Sequence, residues 1–126
     1  MPKKIRISSG SIHAEAELND NPTARAVWEA LPIEARAMTW GDEVYFDIPV
    51  EMGLEPDARA EMTVGELGYW PTGNAFCIFF GPTPASSGNT PVAASPVNIL
   101  GRVLGDATVF RGVRFGDTVR IEAATL

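Results

Sequence analysis

The chain has 126 residues, a formal net charge of −6, and ordinary fractions of hydrophobic (45%) and charged (21%) residues. This length is typical of one soluble domain with its own core. The negative charge argues against a nucleic-acid partner, because phosphate binding needs clustered Lys and Arg. A single cysteine excludes an internal disulfide and fits a reducing compartment. No apolar run approaches the roughly 20 residues of a membrane helix, and no apolar signal core is present, so we expect a cytoplasmic protein without a membrane partner.

The first segments alternate between apolar and polar side chains. Ile5 and Ile7 alternate with basic residues, and a second alternating run extends from Ile12 to Leu18. A period of two across a short link containing Gly10 predicts a β-hairpin.

The period changes at residue 21, where a helix is predicted. Asn21 is a suitable N-cap and Pro22 suits the first helical position. Pro32 ends the segment. The apolar residues recur at helical spacing and form one face: Ala24, Val27, Trp28 and Leu31. It is the one segment with a convincing helical pattern.

Strand patterns return after the helix. Polar or Pro- and Gly-containing loops are expected at 50–60 and 85–96, and a short helical turn at 108–113. The predicted extended segments lie at 35–40, 44–48, 62–80, 98–104 and 119–123.

The most informative stretch is residues 65–84. Two apolar, aromatic segments flank Pro71-Thr72-Gly73, and a second Pro/Gly turn begins at Gly81. Apolar residues at successive positions predict a tight hairpin that is buried on both faces.

Seven or eight strands and one helix indicate a mainly β fold. We expect a closed or nearly closed barrel of about eight strands, because closure removes exposed strand edges. The main helix is expected to cap one end of that barrel.

The order of elements and the local sequence resemble the cyclophilins. Gly65-Glu66-Leu67 is similar to the family's strand that opens with Gly-Thr-Leu, and 74–78 stands where cyclophilins carry Ser-Gln-Phe-Phe-Ile. Residues 98–103 are similar to Val-Val-Phe-Gly-Lys/Arg-Val. The chain most resembles a small prokaryotic cyclophilin-like group with a Gly-Tyr-Trp-Pro-x-Gly hairpin. The resemblance implies a single cyclophilin-like barrel over 1–126 and no settled activity.

The resemblance also implies where a site would lie. In cyclophilins an arginine weakens the double-bond character of the C–N bond before proline, and an apolar wall holds the ring. Arg36 is the candidate for that arginine. The family's glutamine and groove phenylalanine fall on Ala75 and Cys77, and its Trp-Leu pair falls on Ala85 and Ser86.

An aromatic site is the alternative to the isomerase groove. Trp70 aligns with a groove-facing position, and ligand sites are mostly apolar with a few polar groups. The predicted binding residues are Trp40, Tyr45, Tyr69, Trp70, Asn74, Phe79, Thr83 and Asn98. A second interpretation stays open: Trp40 and one of Tyr69 or Trp70 are core, and the Asn and Thr side chains bond local backbone.

The other reactive side chains give weaker indications of a function. His13 shares a strand face with Glu15 and Glu17, which we interpret as a solvated face, so no metal and no cofactor are expected. Cys77 lies in an apolar segment and behaves as a small hydrophobe. Arg36 also fits a surface ion pair with Asp42, Glu43 or Asp47.

Two functions remain. The first is a binding module that holds a small molecule or peptide in an aromatic cleft on the barrel. The second is a divergent peptidyl-prolyl cis-trans isomerase in which Arg36 is the catalytic group. The fold does not decide between them.

Overall fold

A computed structural model describes residues 3–124. This part of the chain contains one α-helix, α1 (Pro22–Ala30), and 3-10 helices at Pro71–Gly73 and Ala107–Gly112. Its ten strands are β1 (Lys3–Ser9), β2 (Ile12–Leu18), β3 (Ile33–Arg36), β4 (Met38–Thr39), β5 (Glu43–Asp47), β6 (Arg59–Glu61), β7 (Glu66–Trp70), β8 (Ala75–Phe79), β9 (Val92–Leu104) and β10 (Thr118–Ala123). No helix in the described part of the chain has both the length and the apolar character that crossing a bilayer requires.

The strands pair in one antiparallel sheet. Their order is β3-β10-β1-β2-β9-β7-β8-β5-β4, and β6 pairs with β9 off this path. The end strands β3 and β4 share no ladder within the described residues. They are consecutive in the chain around Ala37, whose backbone bonds to Gly116 and Asp117.

The predicted mainly β fold is therefore confirmed, with ten strands in place of about eight. The predicted closed barrel is not confirmed, because the chain passes from one sheet edge to the other at Ala37 without an edge-to-edge ladder. The expectation that the helix caps a barrel end depends on closure and is likewise not confirmed.

The helix forms where its capping signals predict. The Asn21 side chain accepts a hydrogen bond from the backbone N–H of Ala24 at 2.8 Å, which satisfies one of the unpaired donors of the first turn. The helix ends with Leu31 as its C-cap, directly before Pro32. Val27 is fully buried and Trp28 is half-buried against the main core.

The β7–β8 hairpin is buried on both faces, as predicted. All five residues of β8 are buried. Phe76 and Ile78 belong to the main core, whereas Cys77 and Phe79 belong to a second apolar cluster on the opposite side of the sheet. The candidate site lies over this second cluster.

A glycine in β7 determines how closely the second cluster packs. Gly68 pairs with Cys77 across the hairpin. A Cβ atom at Gly68 would lie 2.7 Å from Cγ2 of Val97. The missing side chain thus allows β9 to lie against the sheet.

The predicted loop at 85–96 is wrong at its end, because β9 already begins at Val92. The first half of β9 pairs with β6, and the loop predicted at 50–60 is therefore also wrong at its end, because β6 begins at Arg59. The register of that pair shifts between Arg59 and Glu61. Such an irregular ladder tolerates Pro96 within the strand.

Candidate functional site

A cavity of about 200 Å³ lies on the side of the sheet away from the main core. Strands β5, β7 and β8 form its base, and the first half of β9 forms one wall. The lining residues are Trp40, Glu43, Tyr45, Trp70, Cys77, Ala93, Ala94 and Val97. Three of the predicted binding residues, Trp40, Tyr45 and Trp70, are therefore brought together.

The Trp70 ring is held from two directions. Its indole Nε1 donates a hydrogen bond to Oγ of Ser95 at 2.6 Å. A Cβ atom at Gly73 would lie 2.9 Å from Cζ3 of the ring, so the glycine leaves room for it. The ring centroids of Tyr45 and Trp70 lie 6.4 Å apart at an interplanar angle of 79°, an edge-to-face arrangement that aromatic pairs favour. These two rings are thus positioned by the protein itself.

Trp40 reaches the cavity from the turn between β4 and β5. Its backbone N–H donates to the carbonyl of Glu43 at 3.0 Å. Gly41 has a φ of +61°, which favours glycine, and a Cβ there would lie 2.9 Å from Cα of Thr83. The turn therefore packs directly on the chain at Thr83, which places the Trp40 ring at the cavity.

Glu43 is the one acidic side chain of the lining. It is 6% exposed, and burial raises its pKa from 4.5 to about 7, while a hydrogen bond with the Cys77 thiol counts against the rise. A carboxyl in this state exchanges its proton near neutral pH, as groups in binding and catalytic sites often do.

Cys77 contributes a buried, neutral thiol to the lining. Burial raises the pKa of its thiol well above the ordinary value, and the neighbouring Glu43 charge raises it further. Since the thiolate is the reactive form, the neutral thiol serves as an apolar part of the lining.

Tyr69 and Phe79 lie in the two apolar cores and do not line the cavity. Both are fully buried. The Tyr69 hydroxyl donates to the carbonyl of Val50 at 2.6 Å and accepts from the backbone N–H of Met52 at 3.2 Å. Tyr69 thereby holds the segment after β5 against the main core.

The three predicted polar residues bond to neighbouring chain segments and lie outside the lining. Asn98 is fully buried, accepts from the backbone N–H of Glu55 at 2.8 Å and donates to the carbonyl of Gly53 at 2.9 Å. The Thr83 hydroxyl donates to the carbonyl of Val92 and so holds the start of β9. Asn74 adopts a φ of +48° at the hairpin turn, and its Oδ1 is the second acceptor of the Tyr69 hydroxyl, at 3.0 Å, beside the carbonyl of Val50.

Arg36 lies on β3, an end strand of the sheet path, and does not line the cavity. Its side chain is exposed, and Nη1 donates to the carbonyl of Gly116 at 3.4 Å. Of the acidic partners considered for it, Asp42 pairs with Arg111 at 3.3 Å instead.

Glu43 and the β9 residues were not predicted from the sequence to line the cavity. Glu43 stands two positions before Tyr45 on a strand, and a period of two places both on one face. That spacing was the available signal. Ala93 and Ala94 lie in the loop predicted at 85–96, and Val97 directly follows it, so no strand pattern indicated that these residues line a cavity.

The geometry defines a class of protein: a mainly β domain that carries a preformed aromatic cavity on one face of its sheet. The family model described as cyclophilin-like matches residues 3–122. A hypothetical protein from Archaeoglobus fulgidus, known from its solution structure, is 37% identical with a TM-score of 0.83, over 98% of this chain and 95% of that chain. None of the curated proteins matches. The chain belongs to the cyclophilin-like family, which confirms the resemblance found in the sequence.

Proposed function

We propose that this protein is a binding domain that holds a small molecule, or one side chain of a peptide, in the aromatic cavity. The observation that supports this is the convergence of the Trp40, Tyr45 and Trp70 rings around one space. Aromatic rings with a single polar group are a typical lining for a ligand site.

Two features favour binding by a preformed site. The rings of Trp70 and Tyr45 are held by contacts within the protein, so little ordering is needed when a ligand enters. The volume of about 200 Å³ lies below the roughly 300–1,000 Å³ of sites for drug-sized molecules. The expected ligand is therefore small, or inserts only one group.

The isomerase alternative has less support. Arg36 is separated from the lining, and no arginine, glutamine or asparagine lines the cavity among residues 3–124. An isomerase of the expected kind needs a donor beside the proline. Proline isomerisation measured for the wild type and for Arg36→Ala tests this alternative: a fast reaction that the substitution abolishes would favour it.

Tryptophan fluorescence tests the binding proposal. Trp40 and Trp70 line the cavity and Trp28 does not, so the Trp28→Phe variant reports mainly on the site. A set of small aromatic and aliphatic compounds should include some that change its fluorescence saturably and raise the melting temperature.

A matched pair of variants shows where such compounds bind. Ala94 is exposed at the rim of the cavity, whereas Ala85 is exposed and outside the lining. Ala94→Phe should block binding and Ala85→Phe should not. If no compound changes either signal, or if both variants bind equally, the proposal is wrong.

A further inference from the structure

We infer that the aromatic cavity selects an organic cation, an ammonium group carrying alkyl substituents. This inference rests on the proposed function and names the class of its ligand. Three aromatic rings and a buried acidic side chain face the same small space, and this combination distinguishes a cation from a neutral apolar ligand.

The rings supply the first part of the selection. A cation close to the face of Trp or Tyr is attracted by the negative charge above the ring, and desolvation strengthens this attraction. Two of the three rings are tryptophan, which gives the strongest such interaction. Aromatic rings arranged around one space are a known solution for binding alkylated ammonium groups.

Glu43 supplies the second part of the selection for a cation. Its carboxyl is almost fully buried, and within residues 3–124 no lysine, arginine or histidine lines the cavity to pair with it. A buried charge is costly unless it is paired. A cationic ligand provides the missing partner, a neutral ligand does not, and an anionic ligand adds repulsion.

The burial of Glu43 also makes the protonation of the ligand-free cavity depend on pH. Burial raises the pKa of Glu43 to about 7, so the empty site exists in protonated and ionised forms near neutral pH. The other titratable groups of the lining are Tyr45 and Cys77, and the raised pKa of Cys77 keeps its thiol neutral. Because a bound cation favours the ionised carboxylate, binding should strengthen as the pH rises through about 7.

The size of the cavity limits the cation. A volume of about 200 Å³ suits an alkylated ammonium head group better than an extended molecule, given the roughly 300–1,000 Å³ of larger sites. Choline is a suitable probe because an uncharged carbon isostere, 3,3-dimethylbutan-1-ol, has nearly the same shape.

Calorimetric titrations of the full chain with both probes at about pH 8 test the inference. Choline should bind about tenfold or more tightly than the isostere, as expected for a cation in a desolvated aromatic site. In Glu43→Gln this preference should fall, because the buried carboxylate no longer pairs with the cation, while the rings retain part of it. The melting curve of the variant shows whether it is folded.

The outcomes separate the ligand class from the proposed function. Equal binding of both probes to the wild type, or a choline preference that is undiminished in Glu43→Gln, would overturn the cation inference and leave the binding function standing. Binding of neutral compounds alone would also overturn it. If neither probe binds and no compound of the wider set binds, the proposed function itself fails.

Discussion

Replacing Glu43 by Gln should remove a pH-dependent loss of stability. Burial raises the pKa of this carboxyl from 4.5 to about 7. The folded state therefore holds the proton more tightly than the unfolded state. The protonated carboxyl contributes its full stability below about pH 4.5, and this contribution is lost as the pH rises through about 7. At about 1.4 kcal/mol per pKa unit, the loss amounts to about 3 kcal/mol.

Urea unfolding of both proteins between about pH 4.5 and about pH 8 measures this effect. The difference in the free energy of unfolding, Gln variant minus wild type, should grow by up to about 3 kcal/mol across this interval. The difference is the useful quantity because Glu66, Asp20 and Asp106 have lowered pKa values, and these groups titrate in both proteins.

A control substitution isolates the contribution of burial. Glu61 is an exposed glutamate on β6, and Glu61→Gln is the control that makes the same chemical change at an exposed position. A Glu43→Gln variant whose stability runs parallel to the wild type over the whole pH interval would refute the raised pKa, because the Glu43 carboxyl would then titrate alike in the folded and unfolded chains.

Three further substitutions or reactions test the packing around the site. Gly68→Ala should lower the free energy of unfolding by about 1–3 kcal/mol, since its Cβ would lie 2.7 Å from Val97. In a double-mutant cycle with Val97→Ala the two costs should be less than additive, and strictly additive costs would contradict the contact. Tyr69→Phe leaves the carbonyl of Val50 without its donor and should cost about 1–3 kcal/mol in urea unfolding; an unchanged midpoint would contradict this. Cys77 should react with a thiol reagent only when the protein opens, because burial raises its pKa, so rapid labelling of the native protein would be contrary evidence.

Local patterns in the sequence predicted the elements whose partners are close in the chain. Alternation predicted β1 and β2, and the capping signals at Asn21 predicted α1. The first half of β9 was missed because its partner is β6, about 30 or more residues away. Neither segment has a strong strand pattern alone, and each is stabilised by pairing that only the folded chain provides.

The candidate site was predicted in its aromatic part and missed in its acidic part. Large rings beside Pro/Gly turns, such as Trp70, stand out in a sequence. Glu43 looks like an ordinary polar residue at the start of a strand, yet it is buried and lines the cavity together with Cys77 and residues of β9. Burial of a charged group depends on tertiary contacts that one-dimensional periodicity does not contain.

The indole N–H signals of the three tryptophans, followed by NMR during a choline titration, show whether a cation binds in the aromatic cavity. Trp40 and Trp70 line the cavity. Trp28 lies on α1, with its ring 4.9 Å from Nζ of Lys3, and serves as the internal reference. We expect the Trp40 and Trp70 signals to shift saturably while the Trp28 signal stays in place. A shift confined to Trp28, or three signals that remain unchanged, would contradict it.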